Sequence, residues 1–189
     1  MINKERFLAI TDAIVAVAAT IMVLKLDVPD KASLGIIKEQ CTVVLAYVIS
    51  FMQIFLDWHE HHDTFVNADK INHRIFLVNC VWLMAITFVP FATGMVGNSS
   101  AHTASLLVYV FILTFEQLVL IKITNMTSKL NNIEIQDNAV IVKTRKVTLT
   151  SYALAAITAF LLPQISLPII LVGLAINVVI ICRYDRTIS

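Results

Sequence analysis

Runs of apolar residues long enough to cross a bilayer dominate this chain. Four of them cover Phe7–Leu24, Gln40–Leu56, Ile75–Val96 and His102–Ile121, and a fifth run, Val147–Cys182, contains no charged residue. A helix needs about 20 mostly apolar residues to cross a hydrocarbon core about 30 Å thick. Only 14% of the 189 residues are charged, whereas a soluble domain carries about 25%. The chain is therefore predicted to be an all-α integral membrane protein.

The fifth run is too long for one helix. At 1.5 Å per residue it would extend about 54 Å, and Pro163 and Pro168 interrupt it near its middle. We therefore predict two helices there and six in total, forming a single transmembrane domain over residues 1–189. Their predicted bounds are about 7–27, 37–57, 74–96, 102–123, 146–162 and 168–183.

Basic residues predict the orientation of the six helices, because cytoplasmic loops carry an excess of Lys and Arg. An N-terminus placed inside puts eleven basic residues on the cytoplasmic side and three, Lys25, Lys31 and Lys38, outside. Both termini are therefore predicted to be cytoplasmic. The segment 124–144 is predicted to be a polar cytoplasmic linker.

Two carboxylates within the apolar runs need an explanation, since intramembrane charges are rare and often functional. Asp12 lies near the inner end of the first helix and six residues from Arg6, on a different face, so we expect it to pair with a neighbouring helix. A structural anchor is favoured there over a proton or ion site. Glu116 is the deepest carboxylate, and its candidate partners are Asn79, Asn177 and Lys122. Structural pairing is again favoured over proton sensing.

Three histidines follow the second apolar run, at His59, His61 and His62. The H-E-x-x-H spacing of zinc proteases is absent, so no metal site is predicted and interfacial hydrogen bonding is favoured over pH sensing. Cys41, Cys80 and Cys182 match no metal motif and are interpreted as small buried hydrophobic residues.

One face of the first helix carries Ala13, Val17, Thr20 and Leu24 at helical spacing, with Ile21 beside them. This pattern is typical of a packed helix, and it also fits the lining of a narrow apolar pore that gates by dewetting. The chain has no phosphate loop, nucleophile elbow or usefully spaced carboxylate pair, so we expect neither an enzyme nor a resident cofactor. A net charge of +1 without a basic cluster gives no support for a nucleic-acid partner.

Several ordered motifs resemble a known family. Residues 6–12, Arg-Phe-Leu-Ala-Ile-Thr-Asp, resemble the R-x-x-x-F-S-D signature that opens helix one of the transmembrane protein 175 family, with Ile10 and Thr11 in place of Phe and Ser. The resemblance continues through residues 47–51, Trp58 with His61, His62 and Phe65, then Asn79, Leu83 and residues 90–93. The family comprises potassium-permeable channels of bacteria, archaea and animal lysosomes.

The resemblance implies a homotetramer in which helix one lines the pore. It implies a constriction at Val17, further apolar rings at Ile21 and Leu24, and a hydroxyl layer at Thr20. It also implies a polar network that braces the helices, formed here by Arg6, Thr11, Asp12, Trp58, His61, His62 and Asn79. Because Val17 stands where the family usually has Leu or Ile, we expect weaker selectivity for potassium over sodium.

The leading interpretation is a potassium-preferring cation channel in a bacterial or archaeal plasma membrane, with itself, lipids and monovalent cations as partners. The alternative is a proton-coupled transporter of small solutes that uses Asp12 and Glu116. A third possibility is a non-conducting scaffold whose polar residues are all structural.

Overall fold

The fold is a bundle of six helices. The computed structural model describes residues 3–26, 34–97, 102–133 and 139–188, and every regular element in these ranges is helical. The prediction of an all-α protein is thus confirmed. The helices are α1 Lys4–Ile21, α2 Leu34–Val66, α3 His73–Gly97, α4 His102–Asn131, α5 Ala139–Leu161 and α6 Ser166–Ile188, with short 3-10 segments at Met22–Lys25 and Pro163–Ile165.

The described helices extend beyond the predicted apolar runs at one end of the bundle. Helix α2 continues nine residues past its predicted end, and α4 continues to Asn131, into a segment predicted to be a polar linker. That prediction was wrong for residues 124–131 and 139–144, which are helical. Thr124 and Ser128 are buried there, and their hydroxyls donate to the carbonyl oxygens of Leu120 and Thr124 at 2.9 and 2.7 Å. Hydroxyls satisfied inside their own helix allow a polar sequence to pack inward.

Helix ends have identifiable causes. Asn3 caps α1, because its Oδ1 accepts a hydrogen bond from the Arg6 amide at 3.0 Å. Asn132 adopts a left-handed conformation with φ of 54°, and the Ile133 amide donates to the Ser128 carbonyl at 2.9 Å, which ends α4. The predicted end of the first helix at residue 27 lies outside the described residues.

Helix α3 lies at the centre of the packing, against α1, α2 and α4, while α5 and α6 pack closely on each other. The contact between α5 and α6 depends on Gly173, where an added Cβ would lie 2.6 Å from the Ser151 Cβ. Small residues at such contacts let the backbones of membrane helices approach.

Five of the described helical segments are long and apolar enough to cross a membrane, and the crossing of the membrane by six helices stays a prediction. These segments are Lys4–Lys25, Cys41–Val66, His73–Val96, Thr103–Asn131 and Pro163–Tyr184. Helix α5 is less apolar, because its first half carries Lys143, Arg145 and Lys146.

One end of the bundle, which we name the terminal end, is where α1 begins and α2 and α4 end. There the Lys4 ammonium donates to the carbonyl oxygens of Val66 and Ala68 at 2.7 and 2.8 Å. Asn131 at the end of α4 accepts hydrogen bonds from the amides of Asp69 and Lys70 at 3.0 and 2.8 Å. These contacts hold three helix termini together.

The three cysteines are exposed on the single chain, so their interpretation as buried residues was wrong. An apolar sequence does not reveal which side of a membrane helix meets protein and which meets lipid, because both environments accept apolar side chains.

Candidate ion pathway and polar network

The face of α1 singled out in the sequence lies on the outside of the bundle. Val17 is 55% exposed, Ile21 43% and Leu24 76%, and Thr20 is exposed between them. The opposite face of α1 is buried against α2 and α3. We name Val17, Thr20, Ile21 and Leu24 the α1 stripe. It is free on the single chain to meet lipid, water or another copy.

Thr20 is the polar member of the α1 stripe. Its hydroxyl lies 3.0 Å from the carbonyl oxygens of both Ala16 and Val17, to which it donates within the helix. A hydroxyl has one hydrogen and two acceptor lone pairs. Because the hydrogen is used inside α1, the oxygen can offer only acceptor capacity to its surroundings.

A shallow groove of about 460 Å³ runs beside the stripe between α1 and α3. Val17 and Ile21 line it from α1, and Pro90 and Phe91 line it from α3, with Lys25 also at its wall. Gly94 gives the Lys25 side chain room, since an added Cβ would lie 3.1 Å from Lys25 Cδ. Apart from Lys25 and Thr87, the residues that line the groove are apolar.

The first part of the polar network joins α1 to α2. The indole nitrogen of Trp58 donates to Asp12 Oδ1 at 2.8 Å, and the Trp58 and His62 rings lie 5.1 Å apart. The expectation that Asp12 pairs with a neighbouring helix is confirmed. Asp12 is therefore anchored on the side of α1 that faces the bundle.

The second part joins α1, α2 and α3. Asn79 donates to the Thr11 hydroxyl at 3.0 Å, and its Oδ1 lies 2.9 Å from His61 Nε2. The His61 ring stacks on Trp82 with a centroid distance of 4.5 Å and an angle of 5°. Hydrogen bonds between buried side chains fix the positions of the helices that carry them.

Of the predicted network residues, Arg6 is not brought to the others. Its side chain is exposed and makes no hydrogen bond or ion pair within the described residues. The three histidines also diverge: His61 is buried, His62 lies against Trp58, and His59 is exposed beside Asp63. They do not converge on a point where they could share a metal ion.

A second row of polar side chains on α2 was not predicted from the sequence. Gln53 donates to both carboxylate oxygens of Asp57 at 2.9 and 3.0 Å, and to Gln117 on α4 at 3.3 Å. The signal was available, because Ser50, Gln53, Asp57, His61 and Thr64 recur at helical spacing and all are buried.

Glu116 has different partners from those expected. The Trp82 indole nitrogen donates to its carboxyl group, and the buried carboxyl group of Asp57 lies nearby. Neither of the expected asparagines contacts it, since Asn79 bonds to Thr11 and His61 while Asn177 donates to Thr148. The prediction that Glu116 pairs with Asn79, Asn177 or Lys122 was therefore wrong.

An ion pair fixes α5 to α2. Arg145 lies 2.6 Å from Glu60, and the two side chains are only 10% and 15% exposed. The guanidinium also donates to Thr124 and Asn125 on α4, at 2.5 and 3.1 Å. This contact could not be predicted from the sequence, because Arg145 and Glu60 are 85 positions apart.

The fold and these contacts define an all-α integral membrane protein whose first helix is anchored by polar contacts on one side and apolar and exposed on the other. The sequence model of the family described as endosomal/lysosomal potassium channel TMEM175 matches residues 6–90. Over this region, which is a little under half of the chain, the protein is similar to that family.

Similar proteins agree with this finding. A potassium channel of Chryseobacterium is 34% identical over 97 residues, which cover 51% of this chain and 50% of the relative. A potassium channel of Chamaesiphon minutus is 31% identical over 103 residues, or 51% of each chain. The matched region thus spans about half the length of these curated relatives. The endosomal/lysosomal proton channel TMEM175 of Danio rerio is 23% identical over 112 residues, which cover 57% of this chain and 22% of that protein.

The fold extends further than the sequence similarity. The crystal structure of a lysosomal potassium-selective channel TMEM175 homolog from Chamaesiphon minutus superposes with a TM-score of 0.72 at 22% identity. The match covers 95% of this chain and 97% of that one. The second half of the chain therefore shares the fold.

Proposed function

We propose that the protein is a potassium-preferring cation channel in which the α1 stripes of several copies line the pore. The observation that carries this proposal is the exposure of Val17, Thr20, Ile21 and Leu24 on a helix whose other side is anchored by polar contacts. The bacterial relatives named as potassium channels support potassium as the permeant ion.

One helix cannot enclose a pore, so the pathway requires several copies around an axis. Four copies are expected from the family resemblance. Val17 side chains around the axis would form an apolar constriction, which controls conduction through dewetting. Thr20, one turn further along, would present acceptor oxygens to a cation that has lost part of its hydration shell.

The orientation belongs to the same proposal. With both termini cytoplasmic, the terminal end carries most of the basic residues, in line with the excess of Lys and Arg in cytoplasmic loops. The membrane would be the bacterial or archaeal plasma membrane, and the permeant ion requires no resident cofactor.

The proton-coupled transporter is less well supported by the geometry. Asp12 bonds to Trp58 at the α1–α2 contact, whereas Glu116 lies with Asp57 and Trp82 at the contact with α4. The two carboxylates thus belong to separate hydrogen-bonded groups. Because the zebrafish relative is named a proton channel, proton movement is measured alongside potassium movement in the following test.

The test is potassium flux into proteoliposomes that contain the purified protein, measured without an ionophore and with an internal pH dye. We expect potassium flux that needs no pH gradient, rises in Val17→Asn because the apolar barrier is removed, and falls in Thr20→Ala. The control for Val17→Asn is Val179→Asn, which makes the same substitution on the exposed face of α6. Thr158→Ala is the control for Thr20. The Thr158 hydroxyl also donates to carbonyls three and four residues back, and in addition it lies 3.1 Å from the Ser166 hydroxyl.

Two outcomes would contradict the proposal. Flux that requires a pH gradient and disappears in Glu116→Gln would support the transporter. The absence of flux of either ion from correctly inserted protein would support the scaffold.

A further inference from the structure

A cavity of about 380 Å³ lies inside the single chain at the terminal end, away from the α1 stripe. Side chains of α2, α4, α5 and α6 line it. Its volume lies in the range of about 300–1,000 Å³ that is typical of small-molecule sites. The proposed ion path does not use this space, so its lining needs a separate explanation.

The cavity has a buried polar part and an exposed rim. Its buried lining residues are Gln53, Asp57, Thr64, Gln117, Thr148 and Asn177. His59 and Asp63 belong to the rim and are 57% and 60% exposed. Apolar side chains of Leu56, Ile141 and Ile181 complete the wall. A ligand can therefore enter from the rim, make polar contacts at one end and bury an apolar body.

The charges of the lining are not balanced. Glu60 is paired with Arg145 at 2.6 Å, and Asp63 lies 3.6 Å from His59. Asp57 is buried, Gln53 donates to both of its carboxylate oxygens, and the buried carboxyl group of Glu116 lies nearby. No Lys, Arg or His within the described residues forms an ion pair with Asp57. A buried pair of carboxyl groups without a cation holds a proton between them. A ligand that carries its own positive charge can replace that proton.

Asn177 provides an independent indication of a ligand. It is 3% exposed and lines the same cavity. Its Nδ2 donates to the Thr148 hydroxyl at 2.7 Å, while its Oδ1 has no hydrogen-bond partner in the part of the chain that the structure describes. Buried acceptors are almost always satisfied in native proteins. A ligand that donates hydrogen bonds would satisfy this oxygen.

We propose that this cavity binds a small primary amine in its ammonium form. The ammonium group has three donors and one positive charge, which match the Asp57 carboxylate and the free oxygen of Asn177. The alkyl part packs against the apolar wall. A bare alkali ion would satisfy the oxygens but would leave most of the volume and the apolar wall unused. The site is independent of the pore and does not depend on ion conduction.

The test is calorimetric titration of the purified full-length protein in detergent with butylammonium chloride at constant potassium. We expect saturable binding, and none with n-butanol, which has the same alkyl chain without the charge. Asp57→Asn removes the charge with little change of shape and should weaken binding by about tenfold or more. Asn177→Asp adds a charge at the free oxygen and should strengthen binding, a gain that a merely damaged fold would not produce.

Asp69→Asn is the matched control, because it makes the same chemical change at the terminal end on an exposed residue outside the cavity lining. The affinity of Asp69→Asn for butylammonium should equal that of the unaltered protein. The proposal is overturned if butylammonium binding does not saturate. It is also overturned if Asp57→Asn and Asn177→Asp bind butylammonium with the same affinity. Displacement of butylammonium by equal concentrations of potassium or sodium would assign the site to an alkali ion and would also overturn it.

Discussion

Val17 is the residue on which the proposed ion path depends most. Its side chain is 55% exposed on α1 and has one methylene fewer than leucine or isoleucine. Repeated around an axis, this difference widens the constriction, because each copy contributes the same smaller side chain. A wider constriction lets ions keep more of their hydration shell and reduces discrimination between them.

The Val17→Ile variant should therefore select potassium over sodium more strongly than the unaltered protein. Reversal potentials under bi-ionic conditions measure this selectivity, and Val179→Ile makes the same change on the exposed face of α6. Stronger selectivity in the unaltered protein than in Val17→Ile would contradict the assignment of the constriction.

Asn79 joins Thr11 to His61, so its removal should destabilise the contact between α1, α2 and α3. Asn79→Leu keeps a similar size but removes both hydrogen bonds. Leaving buried groups unpaired costs about 1–3 kcal/mol, so the thermal unfolding midpoint in detergent should fall. Gln164→Leu, at an exposed position outside the network, should leave the midpoint nearly unchanged. An equal midpoint in the two variants would show that the network does not support the bundle.

At the scale of single residues, the family resemblance implied one polar network, whereas the structure has two hydrogen-bonded groups. Asp12 accepts from Trp58, and Asn79 joins Thr11 to His61. Arg6 does not join them. The partners of Glu116 could not be predicted, because the sequence does not fix how α2 and α4 are rotated relative to each other.

Among the helices, the contact between α5 and α6 depends on a single small residue. A Cβ added at Gly173 would lie 2.6 Å from the Ser151 Cβ and 2.7 Å from its hydroxyl oxygen. The Gly173→Ala variant should therefore be less stable by about 1–3 kcal/mol, the usual cost of overpacking. Thermal unfolding in detergent measures the change.

A compensating change tests the cause. Ser151→Gly introduced into Gly173→Ala removes both clashing atoms and should recover most of the loss, although glycine itself costs about 1 kcal/mol in a helix. A double variant as unstable as the sum of the two single variants would place the cause elsewhere.

Hydropathy predicted the existence of all six helices, because apolar runs of sufficient length have few other stable forms in a membrane. It did not predict where α2 and α4 end, since polar residues there are buried against other helices and satisfied by hydrogen bonds. It also did not predict the Arg145–Glu60 ion pair, which joins residues 85 positions apart.

For the whole molecule, the main question is which surface faces the axis of an assembly. The α1 stripe and the neighbouring groove between α1 and α3 form an apolar surface that a second copy can cover. A single copy of α1 cannot enclose a pore. The proposed function therefore requires assembly of several copies. A reagent that reaches α1 only through water distinguishes a helix that lines a pore from one that faces lipid.

The most direct test is block of a Val17→Cys variant by a charged, membrane-impermeant thiol reagent. The background protein has Cys41, Cys80 and Cys182 replaced by serine, because all three are exposed. Potassium flux through Val17→Cys should stop after treatment, and a Val179→Cys variant should be unaffected. Flux that continues through Val17→Cys after treatment, with modification at Val179→Cys instead, would contradict a pore lined by α1.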